Sequence, residues 1–253
     1  RSAGAGCLAV DLVMNKEVEN AFCSVRPPGH HCEKANPMGF CFFNNIGVAA
    51  MHAIKAHGLE RVAIIDFDVH HGNGTEDCFA GDERVLMCSI FQHPFYPYSG
   101  TDKPAANMCN VPLAAGSGGE EFRDAVLQVW TPRLKEFKPQ MILISAGFDG
   151  HYEDDMGGLK LVEKDYAWCT DHLKKLAAEM CDKRIVAMLE GGYVLSSLAR
   201  SVAAHIKKHN EKTSFAAQLG EKLNGSTSCV STLRFERLQK ASDPETFCQL
   251  LIH

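Results

Sequence analysis

The stretch IIDFDVHHGNGTEDCF, from Ile64 to Phe79, decides how the rest of the chain is read. Val62 to Val69 is mostly apolar and β-branched, too short for a helix, and Gly72 and Gly74 follow it, so the pattern predicts a strand. Asp66, Asp68 and His70 stand at alternate positions within that run. Side chains alternate across a strand, so the three are expected on one face, with Phe67 and Val69 packed on the other. Two carboxylates and an imidazole on a buried strand need a positive partner, because unpaired buried charge is strongly destabilising. A divalent metal supplies it. A lone Asp or His would more simply be a solvated residue at a sheet rim. Three on one face, followed by His71 and a Gly-Asn-Gly turn, favour the metal.

Length and composition bound the remaining choices. A chain of 253 residues is most simply one large domain with a full core. Hydrophobic residues make up 45% and charged residues 23%, ordinary proportions for a globular protein. A formal charge of −5 leaves no electrostatic footprint for nucleic acid or an anionic membrane. The 11 cysteines are odd in number and none falls in a CxxC pair, which argues against a disulfide framework or a zinc–thiolate module. Scattered cysteines fit a reducing compartment, so an intracellular, cytoplasmic protein is expected, with the nucleus open in a eukaryote. No apolar run reaches the roughly 18 residues of a membrane span, and no signal peptide is visible. The chain opens on Arg1 and runs directly into an apolar segment, so it is read as N-terminally truncated.

Along the chain, strand and helix patterns alternate. Ala3 to Met14 resembles the tail of a helix, and Ala21 to Val25 is a short strand running into RPPGHH, Arg26 to His31. Asn44 to His57 carries Ile46, Ala50 and Ile54 at helical spacing, with Asn44 as cap and Gly58 as stop. Val85 to Phe91 is a strand followed by the aromatic loop QHPFYPYSG. Ser117 with Glu120 forms a capping-box pattern that opens a helix to about Phe137, bent at Pro132. MILISA, Met141 to Ala146, is a buried strand leading into GFDG. Lys164 to Met180 is helical, Ile185 to Leu189 is a strand leading into EGGY, and Leu195 to His209 is helical again. Residues 210–253 lose this pattern and are read as a C-terminal extension to a catalytic domain spanning 1–209.

Such alternation argues for a single α/β domain with a largely parallel sheet flanked by helices. Ligands then bind beyond the carboxyl ends of the strands. Four strands end in polar clusters: His30 and His31; Asp66, Asp68 and His70; Asp149; and Tyr193. Parallel neighbours would bring all four to one rim. Asp68, His70 and Asp149 would leave a metal an open coordination position, the arrangement of a catalytic rather than a structural site. Nitrogen and oxygen ligands without thiolate suit Zn²⁺, with Fe²⁺, Co²⁺ or Mn²⁺ as substitutes. His30 and His31 supply a candidate base, and Tyr193 after Gly191 and Gly192 a candidate oxyanion donor. Standing alone, the histidines would be a solvated loop pair and the tyrosine a core residue.

RPPGHH, MGFCFFNN (Met38 to Asn45), DFDVHHGNG, SAGFDG (Ser145 to Gly150) and LEGGY (Leu189 to Tyr193) together resemble the zinc-dependent histone deacetylase family, of the arginase/deacetylase fold. GNG rather than GDG after the histidines is similar to its class II and bacterial deacetylase-like branch. The resemblance implies one Zn²⁺ held by Asp68, His70 and Asp149. It also implies His31 as general base and acid, His30 as its electrostatic partner, and Tyr193 on the oxyanion. Asp66 would orient His30, and Asn73 would sit beside His31. Gly39, Phe40, Tyr96 and Gly191 would line an acyl-lysine tunnel, with Met156 at its mouth. Members acting on acetylpolyamines carry an acidic residue at that mouth, so an apolar Met leans toward acetyl-lysine in proteins. A K⁺ would sit near Asp66, Asp68, His70 and Ser89, held mainly by backbone oxygens. Family members also carry a segment ahead of the position where this chain opens.

The expected function is removal of acetyl groups from lysine in proteins, with an acetylated peptide or protein as partner. Three rivals stand beside it. One is a deacetylase of acetylpolyamines or other small amides, and another an inactive, truncated metal-binding scaffold. The third, an arginase-like two-metal enzyme, is disfavoured because Asp149 stands alone where a bridging carboxylate pair would be needed.

Overall fold

A computed structural model describes residues 1–210; the expected extension beyond Asn210 lies outside the described residues. Six strands form one all-parallel sheet in the order β1 (Asn20–Cys23), β6 (Ile185–Leu189), β5 (Met141–Ala146), β2 (Val62–Asp66), β3 (Val85–Gln92), β4 (Met108–Leu113). Helices cover both faces, as an all-parallel sheet requires. On one face α1 (Ser2–Met14) and α2 (Asn45–His57) pack Val10, Val13, Ile46 and Ala50 against Ile64, Met87, Leu143 and Met188. On the other, α4 (Gly119–Ala125), α5 (Thr131–Phe137), α6 (Glu163–Met180) and α7 (Leu195–Asn210) cover Ile65, Cys88, Ile144 and Ala187. The three-layer α/β domain expected from the alternation is the one observed.

Local chemistry explains most element ends. The Asn44 side chain accepts from Gly47 N at 2.8 Å and caps α2, and Gly58 closes it at φ 69°, a left-handed conformation that costs glycine little. Four expectations need correction. The central strand stops at Asp66 rather than Val69, so Asp68 and His70 stand on the bend that follows. The capping pattern lies one residue on, with Glu121 accepting from Gly118 N at 2.9 Å instead of Glu120 pairing with Ser117. The bend ahead of Pro132 is a π turn over Val126–Trp130. Finally, α3 (Asn73–Phe79) and β4 are elements that the sequence patterns did not announce.

Strand order is what positions the site. The four strands with polar tips, β1, β6, β5 and β2, are consecutive in the sheet and share one direction. Backbone bonds continue past their ends and tie the loops together: Phe67 N to Ser145 O, Glu190 N to Ala146 O, and Phe148 N to Gly191 O, at 3.3, 3.0 and 3.0 Å.

Candidate active site

Asp68 and His70 emerge from the tip of β2, and Asp149 from the tip of β5. One ligand atom from each lies within 4.8 Å of the other two, and all three residues are buried. His70 Nδ1 sits 3.0 Å from Asp68 Oδ1 and 3.2 Å from Asp149 Oδ2. Burial disfavours charge on this imidazole, yet the two facing carboxylates outweigh it and push its pKa up to about 10. Burial and the neighbouring Asp68 push the Asp149 carboxyl up to about 6. The cluster therefore demands positive charge at one point.

The outer hydrogen bonds leave that point free for a cation. Asp149 Oδ1 is taken by Val69 N at 3.0 Å, while its buried Oδ2 has no hydrogen-bond donor in good geometry. Asp68 accepts from His70 N at 2.9 Å and Gly191 N at 2.8 Å. Two glycines make room: a Cβ at Gly147 would overlap Asp68, and one at Gly191 would overlap Asp149. Buried nitrogen and oxygen donors, an orphaned carboxylate oxygen and no thiolate fit a divalent metal such as Zn²⁺.

The histidine pair follows β1 and borders the same point. His30 Nδ1 is 2.9 Å from Asp66 Oδ2, and its Nε2 is 3.8 Å from Asp68 Oδ2. Burial works against its charge, but Asp66 and Asp68 prevail and hold His30 well above the ordinary imidazole range. The His31 ring lies against it, tilted by 43° with ring centroids 4.0 Å apart. Burial and the charge on His30 depress His31 to about 3, so it is neutral near pH 7. His31 Nδ1 lies 2.7 Å from Asn73 Oδ1, and the Asn73 amide is oriented by donating to Glu33 Oε1 at 2.8 Å. Nδ1 of His31 is thereby the protonated nitrogen, and Nε2 keeps its lone pair. Gly39, at φ 54°, passes so close that a side chain there would overlap the His31 ring.

His30, His31, Gly39 and His70 line a cavity of about 430 Å³ together with Phe40, Phe95, Tyr96, Met156, Gly191 and Tyr193. Burial and the Asp68 and Asp149 carboxylates raise the Tyr193 phenol, keeping it a proton donor. Arg26 holds its loop, bonding Gly192 O at 2.7 Å with its guanidinium 5.6 Å from the Tyr193 ring centroid. Asp154 Oδ2 accepts from Tyr193 N at 2.7 Å and Val194 N at 3.1 Å, and Asp154 Oδ1 from Met156 N at 3.0 Å. One carboxylate thus fixes both Tyr193 and the cavity mouth.

Each expected site residue is in or beside this cluster, and three contributors were not foreseen. Phe95, stacked on His70 at 5.4 Å and 19°, walls the cavity, while the adjacent Tyr96 sits edge-on to His31 at 5.1 Å. Tyr96 was the expected ring of this loop and lines the cavity, but nothing in the sequence singled out its neighbour Phe95. Asp154 is the second. The third is Glu190, fully buried at the tip of β6, whose Oε2 accepts from Gly29 N and His30 N at 2.6 and 3.2 Å and whose Oε1 accepts from Ser145 Oγ at 3.0 Å. A Glu directly after a fully apolar strand was the available signal. His71 serves the scaffold instead, with Nε2 2.6 Å from Glu76 Oε2.

Comparisons with known proteins agree with this geometry. The family model described as the histone deacetylase domain matches residues 1–209. A model for the CRISPR-associated protein Cse2 also matches residues 191–253, most of which lies outside the described residues. The chain is 41% identical over 231 residues to the chloroplastic histone deacetylase 14 of Arabidopsis thaliana, covering 87% of this chain and 52% of that one. It is 39% identical over 218 residues to the polyamine deacetylase HDAC10 of Mus musculus, covering 81% and 32%. The crystal structure of the HDA15 HD domain superposes with a TM-score of 0.75 at 32% identity, covering 99% of this chain and 67% of that one. The chain thus spans about half the length of the Arabidopsis relative and about a third of the mouse one. With a match running through nearly all of the described residues, the chain belongs to the histone deacetylase domain family.

Proposed function

We propose that this chain hydrolyses the acetyl amide of acetyl-lysine in proteins, using one Zn²⁺ held by Asp68, His70 and Asp149. The observation that carries the proposal is that Tyr193, from the tip of β6, shares one cavity with His70 and the histidine pair, while Asp68 and Asp149 meet His70 at its buried side. The metal, when bound, supplies a Lewis acid that polarises an amide carbonyl and acidifies water. Every other part falls to the protein. Neutral His31 accepts the proton of the attacking water at Nε2 and returns it to the departing amine. His30, held cationic by Asp66, places positive charge beside the developing oxyanion, and the Tyr193 phenol donates a hydrogen bond to it. Phe40, Phe95 and Tyr96 exclude water from the acyl-lysine stem, with Gly39 and Gly191 allowing close approach of the walls.

Met156 at the mouth supports a protein substrate, since an apolar residue gives a free polyamine ammonium no partner. Asp155, which also lines the cavity, favours the second reading, an acetylpolyamine or other small cationic amide. A monovalent cation such as K⁺ near Asp66, Asp68, His70 and Ser89 belongs to the same proposal; Ser89 is buried opposite Asp66 in register. An intracellular, cytoplasmic location is likewise proposed. Among the described residues, nine cysteines are free, and no helix is long and apolar enough to cross a membrane.

The test is turnover of an acetyl-lysine peptide beside acetylspermidine, with metal content measured on the same sample. Chelator-sensitive cleavage of the peptide, restored by Zn²⁺ and exceeding that of acetylspermidine, is expected. Preferential cleavage of acetylspermidine would select the polyamine reading, and metal binding without turnover of either would select the inactive scaffold.

A further inference from the structure

A second group of metal-ligating side chains lies away from the catalytic cavity. Asp11 on α1 faces His52 and His57 on α2, and Nε2 of each histidine lies 2.7 Å from Asp11 Oδ1. The imidazole rings are 5.5 Å apart and nearly perpendicular, at 80°. One ligand atom from each residue falls within 4.8 Å of the other two, the same closeness that defines the Asp68, His70 and Asp149 group. We propose that Asp11, His52 and His57 form a second site for a single divalent transition-metal ion, Zn²⁺ by donor type, which pins α1 to α2.

The geometry is not a product of helical periodicity. Residues five apart on a helix diverge by about 140° at 3.6 residues per turn. His52 and His57 converge because Asp11 enters from α1 and because α2 ends at His57, with Gly58 turning the chain away. The backbones beneath are rigid. Ala9, Val10 and Val13 of α1 and Ala49, Ala50 and Ala53 of α2 belong to one buried cluster. At Gly6 the helices are so close that a Cβ would stand 3.1 Å from that of Ala49. Ligands on such a frame are preorganised. The side chains of His52, His57 and Asp11 are 28%, 19% and 40% exposed, which leaves a further coordination position to solvent.

The competing reading is two imidazoles donating to one half-exposed carboxylate, a contact that solvent screens heavily. It needs a proton on each Nε2, whereas the metal needs a lone pair there. Two imidazoles and a carboxylate, without thiolate, suit Zn²⁺, Ni²⁺ or Cu²⁺ and not Ca²⁺ or Mg²⁺. The site is separate from the catalytic one. Asn44 and Asn45 tie the start of α2 to Cys32 O and Pro27 O near the histidine pair, and His57 lies roughly 18 Å further along the axis at 1.5 Å per residue.

The test uses untagged protein equilibrated with Zn²⁺, its metal content per chain and its melting temperature on Zn²⁺ addition. Two ions per chain are expected for the wild type. His52→Gln/His57→Gln should hold one, with deacetylation unchanged, while Asp68→Asn should lose the other and keep this one. Asp11→Asn retains an acceptor oxygen for both imidazoles, so a mere hydrogen-bonded cluster would leave its melting behaviour like that of the wild type. The metal reading predicts that it binds one ion fewer and that its melting temperature rises less with Zn²⁺ than that of the wild type, leaving only the response of the catalytic site. A wild type lacking that ion, or a His52→Gln/His57→Gln variant retaining it, would overturn the proposal, whatever becomes of the catalytic reading.

Discussion

Gly191→Ala is the sharpest perturbation of the proposed catalytic centre, because one methyl group would press on two of its three ligands. A Cβ at this position would overlap Asp149 Oδ2 and stand 2.6 Å from both Asp149 Cγ and Asp68 Oδ2. Ordinary contact begins near 3.4 Å, so the Asp68 contact alone requires a displacement of about 0.8 Å and the Asp149 contact a larger one. Both carboxylates are fully buried and held by backbone donors, one of them Gly191 N itself, so neither can swing aside without losing a bond. Metal–oxygen distances tolerate about ±0.2 Å, which the required shift exceeds several-fold. A misplacement of about 1 Å costs on the order of 10²-fold in rate. Overpacking adds about 1–3 kcal/mol of destabilisation, less than the stability of a typical domain. The expected variant is folded by circular dichroism, deficient in metal, and slower on an acetyl-lysine peptide by about 10²-fold or more. A folded Gly191→Ala protein with a full metal complement and near-normal turnover would refute the assignment of Asp68 and Asp149 as ligands.

Three further outcomes are expected. Tyr193→Phe should keep its metal and lose about 10²–10³ in turnover, the usual value of one oxyanion donor; near-normal turnover would remove Tyr193 from that role. Glu190→Gln addresses the buried carboxyl that burial pushes up from 4.5 to about 7. Such a group binds more protons folded than unfolded, so its contribution is fully present below about pH 4.5 and is lost as pH rises through about 7. Urea unfolding from pH 5 to 8 should therefore show a fall in wild-type stability on the order of 3 kcal/mol that the variant lacks; parallel curves would refute it. Phe95→Ala, which strips the ring stacked on His70 while leaving all three ligand residues in place, should raise KM for the peptide more than it lowers metal content, and the reverse split would make Phe95 a support of the metal site.

While the residues walling the cavity were implied only by the family resemblance, the alternation of apolar runs and the polar groups at four strand ends were enough for the sheet type and for one rim where those groups meet. These features are local. Asn44 and Gly58 act on their own helix, and a short apolar run before His30, Asp66, Asp149 or Glu190 needs no distant partner to be recognised. Where a neighbour overrode local preference, the pattern misled or fell silent. β4 is a half-exposed edge strand containing Asn110 and Pro112, paired only with β3, and its own residues argue against a strand. In α3 the glycines read as a turn, yet the helix forms through Gly74, where a Cβ would strike the Cys32 carbonyl. Nor could sequence add Phe95 to Tyr96 as a second ring against His70, or bring Asp11 to histidines more than forty residues away. Residue type and spacing encode what a segment prefers by itself; which side chains meet depends on strand order, register and helix contact, and these exist only once the core has closed.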